Sequence, residues 1–159
     1  MPNHPDAPDE IFLQDIAEPD DRLWVPVTDL IAYRPLILSA SGCYWTTLTR
    51  IRQSGIVSRH RHPGYVHAHV LKGRWRYLEH DWLATAGSYV FEPPGETHTL
   101  VVEGDEEMLT IFHVHGSIVY LNEDGSLRSV EDVFSRIDQC RAHFDQVGLG
   151  TDYVERFIR

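Results

Sequence analysis

At 159 residues the chain is long enough for one domain, which would bury about 70% of the surface that the unfolded chain exposes. Its 14 basic and 24 acidic residues give a formal net charge of −10, which argues against nucleic acid or an anionic membrane surface as a partner. The two cysteines, Cys43 and Cys140, indicate neither a disulfide framework nor a thiolate metal site. With no signal-peptide pattern and no run of ~20 apolar residues, we expect a cytoplasmic protein without a membrane span.

The first segment, residues 1–21, is predicted to be an acidic arm, because four prolines interrupt any regular element. It contains a short apolar island, which would dock either on the barrel of its own chain or on a partner subunit. The island consists of Ile11, Phe12, Leu13 and Ile16.

The next segment, residues 22–122, is predicted to be a β-barrel built from short strands that Gly, Pro and Asp separate. The predicted strands are 23–27, 30–38, 43–52, 65–71, 74–79, 88–92, 97–103 and 107–121, the last bent at Gly116. This series is typical of an all-β jelly roll.

The last segment, residues 123–159, is predicted to be one C-terminal α-helix with a tail. A possible Ser129/Asp132 capping box precedes the helix, and Gly148 and Gly150 would end it. The apolar residues that recur at helical spacing are Val130, Val133, Phe134, Ile137, Cys140, Phe144 and Val147.

Three histidines carry the strongest chemical signal. His60 and His62 stand two positions apart in GIVSRHRHPG, and alternate side chains of a strand share one face, so both imidazoles would point at one position. His98, in GSYVFEPPGETHT, would add a third imidazole from a neighbouring strand. Three nitrogens leave positions open on a metal for substrate and oxygen, which is typical of a catalytic site.

The second of these segments has the spacing of a known motif. Five residues separate Gly87 from Pro93, one separates Pro93 from Gly95, and two separate Gly95 from His98. This resembles the second motif of the cupin superfamily, with Val102 at the usual asparagine position.

The first cupin motif is matched less fully. Gly55 lies one residue nearer to His60 than is usual, and His67 occupies the place of the glutamate ligand. The run HRHPGYVHAHVLKGRWRYLEHDWLATAGSYVFEPPGETHTLVV is more specific, since it resembles the 2,4'-dihydroxyacetophenone dioxygenases, which are iron cupins.

The resemblance implies a fold, a cofactor and a reaction. It implies a cupin jelly-roll barrel in which His60, His62 and His98 hold non-haem Fe(II). It implies a small aromatic ketone as substrate, specifically an aryl α-hydroxyketone that O2 cleaves to an aryl carboxylate, such as 4-hydroxybenzoate, and formate. A homodimer or homotetramer is also expected from the resemblance.

Other residues have roles that the sequence leaves open. His67 is the first candidate for a catalytic base, although it could also be a fourth ligand or could only pack. Glu96 could orient a ligand imidazole or lie in solvent. The sequence does not decide which aromatic side chains face the metal, nor the roles of the remaining barrel histidines, His69, His113 and His115.

Two alternative functions remain. A β-diketone-cleaving dioxygenase of the acetylacetone type is similar in using three histidines without the glutamate. A sensor cupin, similar to the metal-binding domain of certain anti-sigma factors, would bind metal without catalysis. The single-domain length and the many aromatic residues favour an enzyme.

Overall fold

The computed structural model describes residues 4–159, and within them the chain forms twelve β-strands, one α-helix and two short 3₁₀ helices, Asp21–Leu23 and Thr151–Phe157. The α-helix is α1 (Val133–Gln146). The strands are β1 (Val25–Pro26), β2 (Ile31–Ser39), β3 (Tyr44–Ile51), β4 (Gly55–Arg61), β5 (Val66–Lys72), β6 (Arg74–Tyr77), β7 (Ala84–Thr85), β8 (Tyr89–Glu92), β9 (Thr97–Val102), β10 (Met108–His115), β11 (Ser117–Leu121) and β12 (Leu127–Asp132).

The strands form two antiparallel six-stranded sheets. Sheet A has the order β1-β2-β3-β10-β5-β8, and sheet B has the order β12-β11-β4-β9-β6-β7. Apolar side chains of both sheets pack together between them, for example Val70 of sheet A with Trp75 and Leu100 of sheet B. The predicted all-β jelly-roll barrel with one C-terminal helix is therefore confirmed.

Alternation along β5 shows how the sequence sets the two faces of sheet A. Val66, Ala68 and Val70 are buried between the sheets, whereas His67 and His69 lie on the opposite face. A strand that alternates small apolar and polar residues has one face in the core and one outside it.

Helix α1 packs against core residues of both sheets, including Tyr33, Val114 and Ile118. It begins one turn later than the predicted capping box, because Asp132 is itself the N-cap and exchanges hydrogen bonds with Ser135. In the described part of the chain, no helix is long and apolar enough to cross a bilayer.

Three strands lie outside the predicted strand ranges: β4, which carries His60, the two-residue β7, and β12. β12 pairs with β11 and extends sheet B past residue 122, where the sequence placed the end of the barrel. Val130, which fits the helical spacing, lies in this strand. Four of its six side chains are exposed, so β12 shows little of the apolar alternation by which a strand is recognised.

The N-terminal arm contacts its own barrel. Ile16 packs on the cluster that contains Trp24 and Leu48, on the outer face of sheet A. The carbonyl of Asp15 accepts a hydrogen bond of 2.7 Å from the buried Arg34 guanidinium. Docking of the arm on a partner subunit stays a prediction.

Candidate metal centre

The three predicted histidines meet where β4 lies beside β9. His60 and His98 face each other directly in the antiparallel register, and His62 follows the last residue of β4. Because cross-strand partners lie on the same face and alternate residues return to it, all three imidazoles point into the barrel. All three side chains are buried.

The imidazole nitrogens are close enough to share one cation. One nitrogen from each ring lies within 4.8 Å of the others, and the Nε2 atoms of His60 and His98 are 3.2 Å apart. Burial lowers the pKa of His60, His62 and His98 to about 3 each, with repulsion between the imidazoles as a further cause. The rings are therefore neutral at physiological pH, which is the form that binds metals.

A carboxylate completes this cluster. Glu92, at the end of β8 in the opposite sheet, places Oε2 3.4 Å from Nε2 of His62 and 3.5 Å from Nε2 of His98. The side chain is buried, and Oε2 has no hydrogen-bond partner among the described residues. Burial raises the pKa of Glu92 to about 7.

The donor set fits a divalent cation of the first transition series. Ligands about 2.1 Å from such an ion lie roughly 3.0–3.4 Å from each other, and the separations of 3.2, 3.4 and 3.5 Å are close to this range. An unpartnered buried carboxylate oxygen is also costly without a cation or proton. His60, His62 and His98 can therefore hold a metal beside the Glu92 carboxyl, and neutral nitrogens alone do not specify iron or zinc.

Neighbouring side chains fix the orientation of these groups. The Tyr77 ring stacks on the His98 imidazole, with ring centroids 3.7 Å apart, and its hydroxyl donates a 2.7 Å hydrogen bond to Oε1 of Glu92. The Ser58 hydroxyl lies 3.2 Å from Nδ1 of His60, which leaves Nε2 of that ring for the centre. Tyr77 therefore positions two of the four groups at once.

Glu96 lies near His98 but makes no hydrogen bond to it, since Nδ1 of His98 has no hydrogen-bond partner among the described residues. One carboxylate oxygen pairs with Nε2 of His80 at 2.7 Å, and the other lies 3.9 Å from Nδ1 of His98. The side chain is partly exposed and pairs with His80, so an orienting role for Glu96 stays a prediction.

The turn between β8 and β9 connects the two motifs. Gly95 has φ = 91°, a backbone conformation that favours glycine, and its N–H donates a 2.7 Å hydrogen bond to the carbonyl of His62. This bond holds the part of the first motif that contains His62 beside the turn that precedes His98.

His67, the first candidate for the base, does not lie with these groups. It is on the outer face of sheet A, where its Nδ1 is 2.6 Å from the Tyr89 hydroxyl, because the apolar neighbours Val66 and Ala68 occupy the inner face. We call this surface the outer aromatic face. Its members, which include all four histidines of uncertain role, are Tyr44, Tyr65, His67, His69, Tyr89, Phe91, His113 and His115.

A cavity of about 320 Å³ opens beside the centre, and its wall includes His60, His62 and Tyr77. Trp45 and Phe112, two of the aromatic residues whose facing the sequence left open, also line it. The cavity lies at the lower end of the size range for small-molecule sites, which is about 300–1,000 Å³. A ligand that reaches the imidazoles would therefore lie among aromatic rings.

Glu92 was not identified from the sequence as a residue of the metal centre. The available signal was alternation along β8: Tyr89 and Phe91 lie on the outer face, so Glu92 points inward, like its cross-strand partner Val66. The sequence did not fix that facing, because Tyr89 and Phe91 are as compatible with a core as Val90 is.

Comparison with known proteins gives the chain a family context. The model of the ChrR cupin-like domain family matches residues 14–119, a range that includes His60, His62, His98 and Glu92. An RmlC-like cupin protein from Ralstonia eutropha JMP134 is 27% identical, with a TM-score of 0.75, and the match covers 79% of this chain and 83% of that one. No curated protein matches the chain.

More distant structures share the fold. An acetylacetone dioxygenase from Acinetobacter johnsonii is 17% identical, with a TM-score of 0.70, over 86% of this chain and 97% of that one. The Rhodobacter sphaeroides anti-sigma factor ChrR, in complex with SigE, is 21% identical, with a TM-score of 0.50, over 57% of this chain and 47% of that one. These two neighbours have different functions, so the fold alone does not choose between catalysis and sensing.

Proposed function

The chain belongs to the ChrR cupin-like domain family, and from this premise we propose that it is a non-haem Fe(II) dioxygenase that cleaves an aryl α-hydroxyketone. The observation that carries the proposal is that the cluster of three buried imidazoles borders an aromatic-lined cavity. The expected substrates resemble 2,4'-dihydroxyacetophenone, with 4-hydroxybenzoate and formate as products.

The reaction balances with O2 as the only oxidant. The bond between the ketone carbon and the hydroxymethyl carbon breaks, the ketone carbon becomes the carboxylate of the aryl acid, and the hydroxymethyl carbon becomes formate. Each product receives one atom of the O2. A bound ferrous ion would supply Lewis-acid polarisation of a chelated hydroxyketone and electron transfer to O2.

The protein would contribute the holding groups and a proton acceptor. His60, His62 and His98 present neutral imidazoles, so the ion would keep its positive charge and favour an anionic oxygen ligand. The unpartnered Oε2 of Glu92 is the carboxylate oxygen at the centre, and we assign to it the proton of the substrate hydroxyl. Glu92 takes the role that the sequence suggested for His67.

The cavity would bind the aryl ring and exclude water. Trp45 and Phe112 lie on the wall of this cavity, and offset or edge-to-face contacts between aromatic rings stabilise by about 0.5–1.5 kcal/mol beyond area burial. A dry cavity also strengthens the electrostatic interactions at the metal.

The test is oxygen uptake by protein reconstituted anaerobically with Fe(II), with 2,4'-dihydroxyacetophenone in one vessel and acetylacetone in another. We expect O2 consumption, formate and 4-hydroxybenzoate in equal amounts from the first compound. With ¹⁸O2, one labelled atom should enter each product. Zinc-loaded protein is the matched control and should consume no O2.

The other outcomes identify the alternatives. Uptake with acetylacetone alone would overturn the aryl α-hydroxyketone assignment in favour of a β-diketone-cleaving enzyme, the activity of the Acinetobacter johnsonii structural neighbour. Tight metal binding without uptake from either compound would contradict catalysis and favour a sensor.

A further inference from the structure

The cavity beside the metal centre meets solvent at one edge of the two sheets. β1 is an edge strand of sheet A and β12 is an edge strand of sheet B. The exposed lining residues lie at these two edges, and they are Val27 and Thr28, in the turn after β1, and Arg128 and Ser129 of β12. Trp45 and Tyr77, which also line the cavity, are buried. A ligand from solvent would therefore enter between the two edges, which we call the mouth of the cavity.

Arg128 reaches the mouth because β12 contains a β-bulge. Tyr120 pairs with Ser129 and the next residue, Leu121, pairs with Leu127, so Arg128 is an extra residue in β12. In a regular strand Arg128 and Ser129 would point to opposite faces, whereas here both line the cavity. A bulge redirects a side chain in this way, and bulges are common next to functional sites.

Tyr120 connects the Arg128 guanidinium to the metal centre. Tyr120 lies opposite His60 in the register of β11 with β4, and the two ring centroids are 6.0 Å apart. The guanidinium carbon of Arg128 is 5.1 Å from the Tyr120 ring centroid, which is a cation–π contact. One ring therefore neighbours both the cation at the mouth and an imidazole of the centre.

The cavity wall has one positive charge in excess, and Arg128 carries it. Arg136 and Glu131, the other charged lining residues, form an ion pair with each other, and the lining imidazoles are neutral at physiological pH. Within residues 4–159 no acidic side chain lies within ion-pair distance of the Arg128 guanidinium. In a chain with a net charge of −10, this mouth is a local site of attraction for an anion.

We propose that Arg128 binds the carboxylate of an aromatic acid at the mouth of the cavity. The N–H groups of a guanidinium match the two oxygens of a carboxylate, and one excess positive charge matches a monoanion. The cavity wall, which includes Trp45 and Phe112, would contact the ring of the acid. This site goes beyond the proposed function, which assigns no residue to an anion.

A carboxylate can reach this site from two sources. The proposed reaction converts a neutral ketone into an aryl acid, so the product would contact Arg128 as it leaves. A substrate with a carboxylate on its ring would instead place that group at Arg128 while its ketone lies at the imidazoles. The recognition chemistry is the same in both cases, and suitable pairs of ligands distinguish them.

The test measures binding to zinc-loaded protein by calorimetry. One pair, 4-acetylbenzoate and 4-acetylbenzamide, represents an anionic substrate, and the other pair, benzoate and benzamide, represents the product. We expect the acid of at least one pair to bind at least about 5-fold more tightly than its amide at low ionic strength, and added salt should reduce this preference. A preference in the first pair alone identifies a substrate, and one in the second pair alone identifies a product. Equal affinities within both pairs would overturn the proposal.

Variants assign the preference to Arg128, since zinc can also bind a carboxylate. Arg128→Gln removes the charge from an exposed side chain, so it should lower the affinity for the acid about 5-fold and leave that for the amide unchanged. Arg128→Lys keeps the charge without the planar fork and should retain part of the preference. A full preference in Arg128→Gln would contradict the proposal, because the metal alone would then explain it.

The matched control is an arginine with similar surroundings outside the cavity. Arg156 is exposed, and its guanidinium carbon is 4.8 Å from the Tyr153 ring centroid. Arg156→Gln makes the same change in net charge and should keep the wild-type preference. An equal loss of preference in Arg156→Gln and Arg128→Gln would overturn the proposal, because net charge alone would then attract the acid.

The binding test is independent of turnover, because zinc replaces iron. A preference that depends on Arg128, without oxygen uptake by the iron form, would reject the proposed function alone. Oxygen uptake without the preference would reject only this inference.

Discussion

Glu92 connects the electrostatics of the centre to the stability of the protein. Its carboxyl is 3% exposed, and burial raises its pKa to about 7, whereas an unfolded chain would ionise it near 4.5. Between these two values the folded state holds a proton that the unfolded state releases. The contribution of Glu92 to the stability of the metal-free protein is therefore lost as pH rises from 4.5 through 7. The three imidazoles, whose pKa values are lowered to about 3, act in the opposite sense below pH 6.5.

The first prediction concerns Glu92→Gln in metal-free protein. Because the amide does not ionise, the variant should be more stable than the wild type at pH 8, by at most about 3 kcal/mol, and the difference should shrink towards pH 5. Thermal or urea unfolding at both pH values measures it. Glu106→Gln, at an exposed carboxylate, is the control, and a Glu92→Gln difference that is the same at both pH values would contradict the assigned pKa.

The second prediction concerns His98→Ala. Removing one imidazole of the cluster should reduce the Fe(II) affinity by more than the roughly 10–100-fold that loss of an outer hydrogen bond costs, and activity should disappear with the metal. Metal analysis after desalting measures retention. His69→Ala, on the outer aromatic face, should keep both, and tight iron retention by His98→Ala would show that the site is assigned incorrectly.

At the scale of single residues, motif spacing in the sequence predicts which histidines converge. It does not predict the position of a residue that depends on which face of its strand points inward. His60, His62 and His98 follow from alternation in one strand and a motif in the next, so their convergence was predictable. Glu92 and His67 each depend on which face of a strand is inward, and that depends on the packing of sheet A against sheet B. Because apolar residues flank both Glu92 and His67 in the sequence, alternation alone does not decide which face of its strand each one occupies.

Helix α1 contributes to the wall of the cavity, because it carries Arg136 against the Tyr33 ring. Its N-terminus is fixed by reciprocal hydrogen bonds of 2.8 Å between Asp132 and Ser135. Since Glu131 immediately precedes the N-cap, the same turn also places the Glu131 carboxylate that pairs with Arg136 in the cavity wall.

The third prediction separates the observed cap from the one that the sequence suggested. Asp132→Ala should cost about 1 kcal/mol, which lowers Tm by roughly 2–4 °C in a chain of this size. Ser129→Ala should change the free energy of unfolding by less than about 0.5 kcal/mol, because Ser129 is an exposed residue of β12. Thermal unfolding followed by circular dichroism measures both. Equal losses of stability in the two variants would show that Asp132 is not the N-cap of α1.

The helix and β12 show how far elements can be predicted. Spacing of apolar residues predicts α1, since its buried side chains recur at the helical period. β12 is a sheet edge with mostly exposed side chains, and only its pairing with β11 makes it a strand. Long-range pairing of this kind leaves little trace in the local sequence.

On the scale of the whole molecule, the outer aromatic face is a candidate surface for self-association. Tyr89 and Phe91 are half exposed there, and the face contains no acidic residue although the chain has a net charge of −10. A second copy, which carries the same charge, meets less repulsion at this neutral surface than elsewhere. We propose that two copies pack through it as a homodimer.

The fourth prediction tests this assembly. Phe91→Asp should shift the protein from dimer to monomer in sedimentation equilibrium, because it buries a like charge in each copy. Phe134→Asp is a matched control, since Phe134 is 55% exposed and Phe91 is 51% exposed, and Phe134 lies on α1. A monomeric wild type, or a dimer that survives Phe91→Asp, would contradict the proposal.

Helix α1 lies outside residues 14–119, the part of the chain shared with the family, whereas the metal-binding groups lie inside it. Arg136 and Glu131 therefore belong to a segment that can diverge while the inherited metal chemistry stays constant. Family membership should therefore predict which metal a relative binds more reliably than it predicts which substrate that relative binds. A chimaera that exchanges only the segment after residue 122 should transfer ligand preference from one barrel to another.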